Sequence, residues 1–352
     1  FELEPHALTC DLHPTYLSSQ WARAKASADG RPLIEVQHHH AHIASVIAEM
    51  TARGIIGPAE QVLGIALDGT GAGTDGTVWG GEVMVASLSG FTRMAHLKPW
   101  RLPAGMASVR DARRNAFSLL HSCELLDHPG ARMLVEGLSE AERAVTATMI
   151  ERGLNSPLTS SMGRLLDAMA AMLGICPSAT YEGEPAIMLE AAAWRALDDD
   201  AQRAHNGADC PGYRFALQEQ SVPAPGEQTR QRRSRVGEHA IDQVIELDPA
   251  PTVHAALDDL SAGRPVEAIA ADVHIAAAQA VCDASIQIAR RTGIRNVALS
   301  GGVFMNRLLL GEVLQRLRAE GLRPLVPSAV PANDGCIAYG QAAVTRARLC
   351  ER

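Results

Sequence analysis

The chain has 352 residues, 47% of them apolar, few aromatics and a formal net charge of −8. That length suits one large α/β unit or two compact lobes, with Ala, Leu, Val and Ile filling the core. The acidic balance argues against a general nucleic-acid binder, which needs a basic face, so nucleic acid is not an expected partner.

Seven cysteines, odd in number and without a C-x-x-C pair, point to a reducing compartment, with neither a disulfide framework nor a zinc ribbon. No apolar run approaches the roughly 20 residues of a membrane span, and no signal peptide opens the chain. The expected location is cytoplasmic, with no membrane partner. The first residue is Phe1 rather than Met, which reads as a piece of something longer.

A short strand is predicted at 7–10, running into Asp11-Leu12-His13-Pro14. A helix over 15–26 and a strand at 34–36 follow, and the strand leads into Gln37-His38-His39-His40-Ala41-His42. His38 and His42 stand four apart, about 6 Å along a helix axis and on one face, so they could share a metal ion. The alternative is a polar helix start with solvated histidines. Two ligands are too few for a stable site, so carboxylates must come from elsewhere.

The mostly apolar run 61–67 ends in Asp68-Gly69. A buried strand rarely carries an unpaired carboxylate, which makes Asp68 the first candidate; a plain Asp-Gly turn is the alternative. The Gly- and Thr-rich stretch 69–82 has the shape of a phosphate-binding hairpin, or of an ordinary one. It is not a P-loop, because no Gly-Lys-Ser/Thr follows, nor a dinucleotide fingerprint, because 83–86 continue as a strand. Arg101, Arg110, Arg113 and Arg114 concentrate positive charge near 98–118, more consistent with a solvated helix face than with an anion site.

Residues 124–174 are mostly helical, with a capping box at Ser139–Glu142 and Asp167 inside an apolar stripe. Tyr181-Glu182-Gly183-Glu184-Pro185 starts another helix. Residues 218–239, with Arg230, Arg232, Arg233 and Arg235, read as a flexible linker. A long buried helix over 269–289 holds His274. Residues 295–307 form strand, glycine turn and helix start, a second phosphate-shaped loop. Asp334 stands at the start of the terminal helix, where capping is the default role and metal binding the alternative.

In this order, Gln37-His-His-His-Ala-His42, Asp68-Gly-Thr-Gly, Trp79-Gly-Gly-Glu82, Tyr181-Glu-Gly-Glu184, Ser300-Gly-Gly-Val303 with Asn306-Arg307, and Asn333-Asp-Gly335 resemble one family. It is the C-terminal region of the HypF carbamoyltransferases of nickel–iron hydrogenase maturation, and the likeness runs from about Asp11 to Ala343. The resemblance implies the two-lobed α/β fold of actin, heat-shock ATPases and sugar kinases, with a first lobe shortened at its N-terminus. On that basis 1–100 is expected to be the first lobe and 101–217 the helical part of an interlobe nucleotide site. The linker occupies 218–239 and the second lobe 240–352.

The resemblance further implies a divalent metal, iron or zinc, on His38, His42, Asp68 and Asp334, with His39 and His40 nearby. It places a nucleotide against Gly301, Gly302 and Asn306, with Asp167, Gly183 and Glu184 near the ribose. The implied reaction moves the carbamoyl group of carbamoyl-adenylate, made from carbamoyl phosphate and ATP, to the C-terminal cysteine of the partner HypE. The adenylate-forming domain of the full-length family is absent from this chain. Ala104-Gly105-Met106 and Arg110-Asp111-Ala112-Arg113-Arg114 stand where the family has Gly-Gly-Asp and Arg-Glu-Pro-Trp-Arg, and Cys336 replaces a glycine. The rival readings are a small-molecule O-carbamoyltransferase and a nucleotide- or partner-binding chain without turnover.

Overall fold

The computed structural model describes residues 4–199, 212–221 and 243–351. Strands β1 (Leu8–Asp11) and β2 (Leu33–Val36) pair in parallel, with Asp11 opposite Val36. Parallel neighbours need a crossover, which α1 (Leu17–Asp29) supplies, closed by Gly30 in the left-handed conformation. β2 runs directly into α2 (His38–Ala52), whose cap is Gln37, its side chain accepting the His40 N–H at 2.8 Å.

β3 (Val62–Ala72), β4 (Val78–Ala86) and β5 (Phe91–Leu97) form an antiparallel meander, and β6 (Trp100–Arg101) follows. Next come α3 (Met106–Arg110), α4 (Ala112–Ser122), α5 (Arg132–Glu136), α6 (Glu140–Arg152), β7 (Leu158–Thr159), α7 (Met162–Met172) and α8 (Glu184–Asp199). The remainder is β8 (Ala216–Ser221), β9 (Gln243–Asp248), α9 (Ala250–Ser261), α10 (Val266–Thr292), β10 (Asn296–Ser300), α11 (Arg307–Ala319), β11 (Arg323–Leu325) and α12 (Ile337–Cys350). The large sheet has the order β11-β10-β3-β4-β5-β9-β8, with β6 and β7 off its path. β10 is parallel to both β3 and β11.

This pairing divides the chain elsewhere than at residue 100. β3 bonds to β10 and β5 to β9, so the meander expected in the first lobe shares one sheet with the last third of the chain. The smaller body is the β1–β2 sheet with α1 and α2, joined by α12 from the far end of the chain. Local apolar patterns mark strands but do not say which strands pair. The expected linker also begins inside β8, where Gln218 pairs Glu246. Its remaining residues, 222–239, lie outside the described residues.

α2 is buried on two sides. Ala41 and Ala44 pack with Ile34, Val36 and Val344, while Ile43, Val46, Ile47 and Met50 meet Val62, Ala66, Met84 and Ala298 of the large sheet. A helix between two sheets has almost no solvated face, so all four histidines are buried. The opposite face of the large sheet is covered by α7, α8 and α10 in the main core. α10 is long and apolar enough to cross a membrane, but 83% of its most apolar window is buried inside this fold, as in a core helix. His274 belongs to that core: its Nδ1 lies 2.7 Å from the Ala270 carbonyl oxygen.

Candidate metal centre

β2 feeds α2 so that His38 opens the first turn and His42 follows one turn later, their ring centroids 5.1 Å apart. Asp68 sits where the β3–β4 ladder breaks register between Leu67 and Gly71, which turns its side chain out of the sheet. Its Oδ1 accepts the N–H groups of Gly69 at 2.8 Å and Gly302 at 3.2 Å. Its Oδ2 is thereby aimed at the histidines, 3.0 Å from His42 Nε2 and 3.3 Å from His38 Nε2. Gly302 reaches Asp68 because Gly301, with φ 110°, packs its Cα against the Leu67 backbone, where a side chain would collide.

Asp334 enters from the turn before α12. The capping role expected for it falls to Asn333, whose Oδ1 accepts the Gly335 N–H at 3.1 Å. Asp334 Oδ1 is left 3.5 Å from His42 Nε2 and 3.6 Å from His38 Nε2. One ligand atom from each of His38, His42, Asp68 and Asp334 lies within 4.8 Å of the others. The three residues on regular elements are buried, while the Asp334 side chain is 71% exposed and marks the mouth.

The hydrogen bonds behind the rings favour metal binding. His38 Nδ1 lies 2.8 Å from Asp11 Oδ2, so its proton belongs there and the Nε2 lone pair faces the centre. His42 Nδ1 faces Ser300 Oγ at 3.2 Å and Cys336 Sγ at 3.3 Å, again freeing Nε2. His38 Nε2 is buried with no hydrogen-bond partner. A buried polar atom of this kind costs about 1–3 kcal/mol unless something binds it. Two imidazole nitrogens with two carboxylate oxygens and no thiolate suit iron or zinc.

The electrostatics agree. Burial alone would drive the His42 ring neutral, yet Asp334, Asp68 and Cys336 together push it up to about 10. Burial likewise opposes charge on His38, but Asp11, Asp334 and Asp68 hold it well above its ordinary value. Against burial, His38 and His42 pull the Asp68 carboxyl far below the usual carboxylate range; the same two rings lower Asp334. The protons stand where a cation would, and a metal must displace them.

A second group, His128, His254 and Asp258, fails the same test. His128 Nδ1 accepts the Gly130 N–H at 3.1 Å, so Nε2 carries the proton and gives it to Asp258 Oδ1, also 3.1 Å away. A metal at Nε2 would need an imidazolate, and the arrangement is complete as a surface hydrogen-bond chain.

A family model described as "Carbamoyltransferase, Kae1-like Domain, second subdomain" matches residues 64–341, and one described as "HypF Kae1-like domain" matches 1–49. A "Carbamoyltransferase HypF homolog" of Cupriavidus necator is 37% identical over 339 residues, 96% of this chain and 76% of that protein. The chain belongs to the HypF carbamoyltransferase family.

A HypF of Rhodobacter capsulatus is 35% identical over 353 residues, 99% of this chain but 40% of that protein. A crystal structure of full-length HypF in the phosphate- and nucleotide-bound form superposes with a TM-score of 0.79 at 31% identity, covering 99% of this chain and 48% of that one. T. kodakarensis HypF gives 0.75 at 30% identity, covering 98% and 40%. These likenesses establish the two-lobed α/β fold of actin and its relatives for this HypF-family chain. The gap between the two matched segments, 50–63, also falls where the strand pairing divides the chain.

Of the residues expected near a nucleotide, Gly301 and Gly302 stand beside Asp68. Asn306 differs: its Oδ1 caps α11 at Leu309 N–H and its Nδ2 meets His274 Nε2, both at 2.9 Å, so its side chain is already engaged inside the fold. Glu184 accepts from Thr180, and Gly183, with φ 83°, has open space beside its Cα. Asp167 is buried, accepts the Ala186 N–H at 3.2 Å and faces Arg164. His40 turns away from the four candidate ligands, its Nε2 on the Ser87 carbonyl oxygen at 2.8 Å and its ring against Phe91, and burial lowers it to about 4. His39 is buried against Gly71 and Trp79 with Nδ1 on Gln37, and burial keeps it neutral.

The glycines of the 69–82 stretch are occupied as well: side chains at Gly71 and Gly73 would run into His39 and Trp79. Glu82 is buried, with Ser160 on one oxygen and Arg93 on the other, and Arg93 lies 4.1 Å over the Trp79 ring. The Trp-Gly-Gly-Glu motif therefore builds the hairpin. Among the arginines near 98–118, Arg113 and Arg114 pair with Asp111 and Arg101 bonds the Ser156 carbonyl oxygen, as on an ordinary helix face.

Sequence reasoning missed Asp11. Replacing it with asparagine is expected to weaken iron or zinc binding about 10- to 100-fold, because the His38 ring loses the carboxylate that sets its tautomer. Competition with a chelator of known affinity measures the change, and wild-type affinity would remove Asp11 from the site.

Proposed function

We propose that this chain is the carbamoyl-transfer domain of nickel–iron hydrogenase maturation, moving the carbamoyl group of carbamoyl-adenylate to the C-terminal cysteine of HypE. The observation that carries this reading is the convergence of His38, His42, Asp68 and Asp334, in a family whose members bear the name carbamoyltransferase. The nucleotide part is supported by a solved HypF obtained with phosphate and nucleotide bound. Iron or zinc held by those four residues would supply a Lewis acid for the carbamoyl or phosphoryl oxygen.

The chain's own groups do the rest. Asp11 fixes the His38 ring, and Ser300 and Cys336 hold that of His42. The Gly69 and Gly302 N–H groups hold Asp68, so the pocket is organised before substrate arrives. Exposed Asp334 leaves one side open to a partner. The attacking thiolate comes from that partner, because Cys336, the cysteine at the site, is fully buried between His42 and Ser300.

The test supplies purified chain with carbamoyl-adenylate and a peptide ending in the HypE cysteine. A carbamoyl adduct on that cysteine is expected by mass spectrometry. No adduct, with nucleotide binding intact, would overturn the reading.

A further inference from the structure

Arg164 is the least satisfied charged group near the centre. It stands in the first turn of α7 and is 1% exposed. Its backbone is fixed on both sides, the N–H donating to Ser161 Oγ at 3.1 Å and the carbonyl accepting from Asn115 Nδ2 at 2.6 Å. Among the described residues its guanidinium, with five N–H donors, makes one ion pair, Asp167 Oδ2 lying 3.1 Å from Nη2. Nε and Nη1 are buried with no hydrogen-bond partner. A buried guanidinium is normally held by several acceptors, and leaving its donors empty is costly.

Its position gives the empty donors a meaning. A side chain at Gly69 would lie 3.2 Å from Nη2 and 3.9 Å from Cζ of Arg164, and 3.6 Å from Glu182 Oε1. Glycine at 69 therefore lets the end of β3, next to the candidate ligand Asp68, lie directly against the guanidinium. The α7 N-terminus is locked to the same point, since Ser161 Oγ donates to the carbonyl oxygens of Asp68 and Gly69, both at 2.7 Å.

We propose that Arg164 is the anion-binding residue of this site, taking the phosphoryl oxygens of the adenylate through Nε and Nη1. The proposal deepens the carbamoyl-adenylate reading and rests on it. A guanidinium fork matches two oxygens of one phosphoryl group, which a lysine cannot do. Asp167, paired with Nη2, orients the fork and ties it to the start of α8.

The test titrates the purified chain calorimetrically with AMP, adenosine and inorganic phosphate. The wild-type chain is expected to prefer AMP. Arg164→Met is expected to lose about 10- to 100-fold in AMP affinity with adenosine binding unchanged, the range of a charge-assisted hydrogen-bonded pair. It is also expected to unfold at a lower temperature without ligand, because Asp167 Oδ2 is left buried without its guanidinium. An AMP preference kept in Arg164→Met, or an equal loss for adenosine, overturns the proposal alone. A wild-type chain that binds AMP no better than adenosine overturns the adenylate reading and this proposal together. Phosphate binding as tight as AMP would make free phosphate the ligand and overturn the nucleotide source. Should Arg164→Met fail to fold, Arg164→Lys decides: about ten-fold weaker AMP binding supports the proposal and full affinity overturns it.

Discussion

Alanine at His38, or at Asp68, is expected to cut bound iron or zinc from about one ion per chain to less than a tenth of that, since each change removes one of about four ligands. The two variants should fail for different reasons. His38→Ala deletes one nitrogen and leaves Asp11 without its ring partner. Asp68→Ala deletes the oxygen nearest both rings and leaves the Gly69 and Gly302 N–H groups without their acceptor, so the strand end should loosen too. Elemental analysis after reconstitution with a single metal reads the outcome, with circular dichroism as the folding control. His40→Ala separates the centre from its neighbourhood. Its ring serves Ser87 and Phe91, so full metal occupancy is expected at a cost in stability of order 3 kcal/mol. Full occupancy in both His38→Ala and Asp68→Ala would refute the ligand set.

The parts of this site that the sequence carried are those where chemistry contradicts a local pattern. A carboxylate at the end of the apolar β3 run and a histidine pair at helical spacing both demand a partner, and the structure brings those residues to one point. Asp11 carried no such signal. It ends a four-residue strand, and its role exists only because β1 lies parallel to β2 with Asp11 opposite Val36, beside the start of α2. The same limit explains Asn306 and His40. The side chain of each is bonded to a residue more than thirty positions away. Division into lobes is likewise a property of pairing, and β3 meets β10 across more than two hundred residues. What the sequence alone could show of the fold came from the order of the motifs, whose glycines and acids answer to contacts between elements.

Gly340→Ala is the sharpest test of how that packing supports the chemistry. Gly340 lies in α12 where it crosses α2, and a side chain there would land on the carbonyl oxygen of Ala41, with the carbonyl carbon only 2.7 Å away. Backbone cannot rotate aside as a side chain can, so the helices must separate. Ala41 stands between His38 and His42 and is fully buried, so the shift passes straight into the ligand pair. The expected loss is about 3 kcal/mol, the upper part of the usual overpacking range, or roughly 5–10 °C in Tm. Metal affinity should fall with it, by about ten-fold, because Asp334 precedes α12 and the histidines ride on α2. Gly311→Ala in α11 is the control: open space surrounds that position, and alanine should be neutral or stabilise the helix by up to about 1 kcal/mol. Thermal unfolding and chelator competition on both variants measure the contrast. Equal stability and equal metal affinity in the two would mean that the α2–α12 crossing does not hold the metal ligands in place.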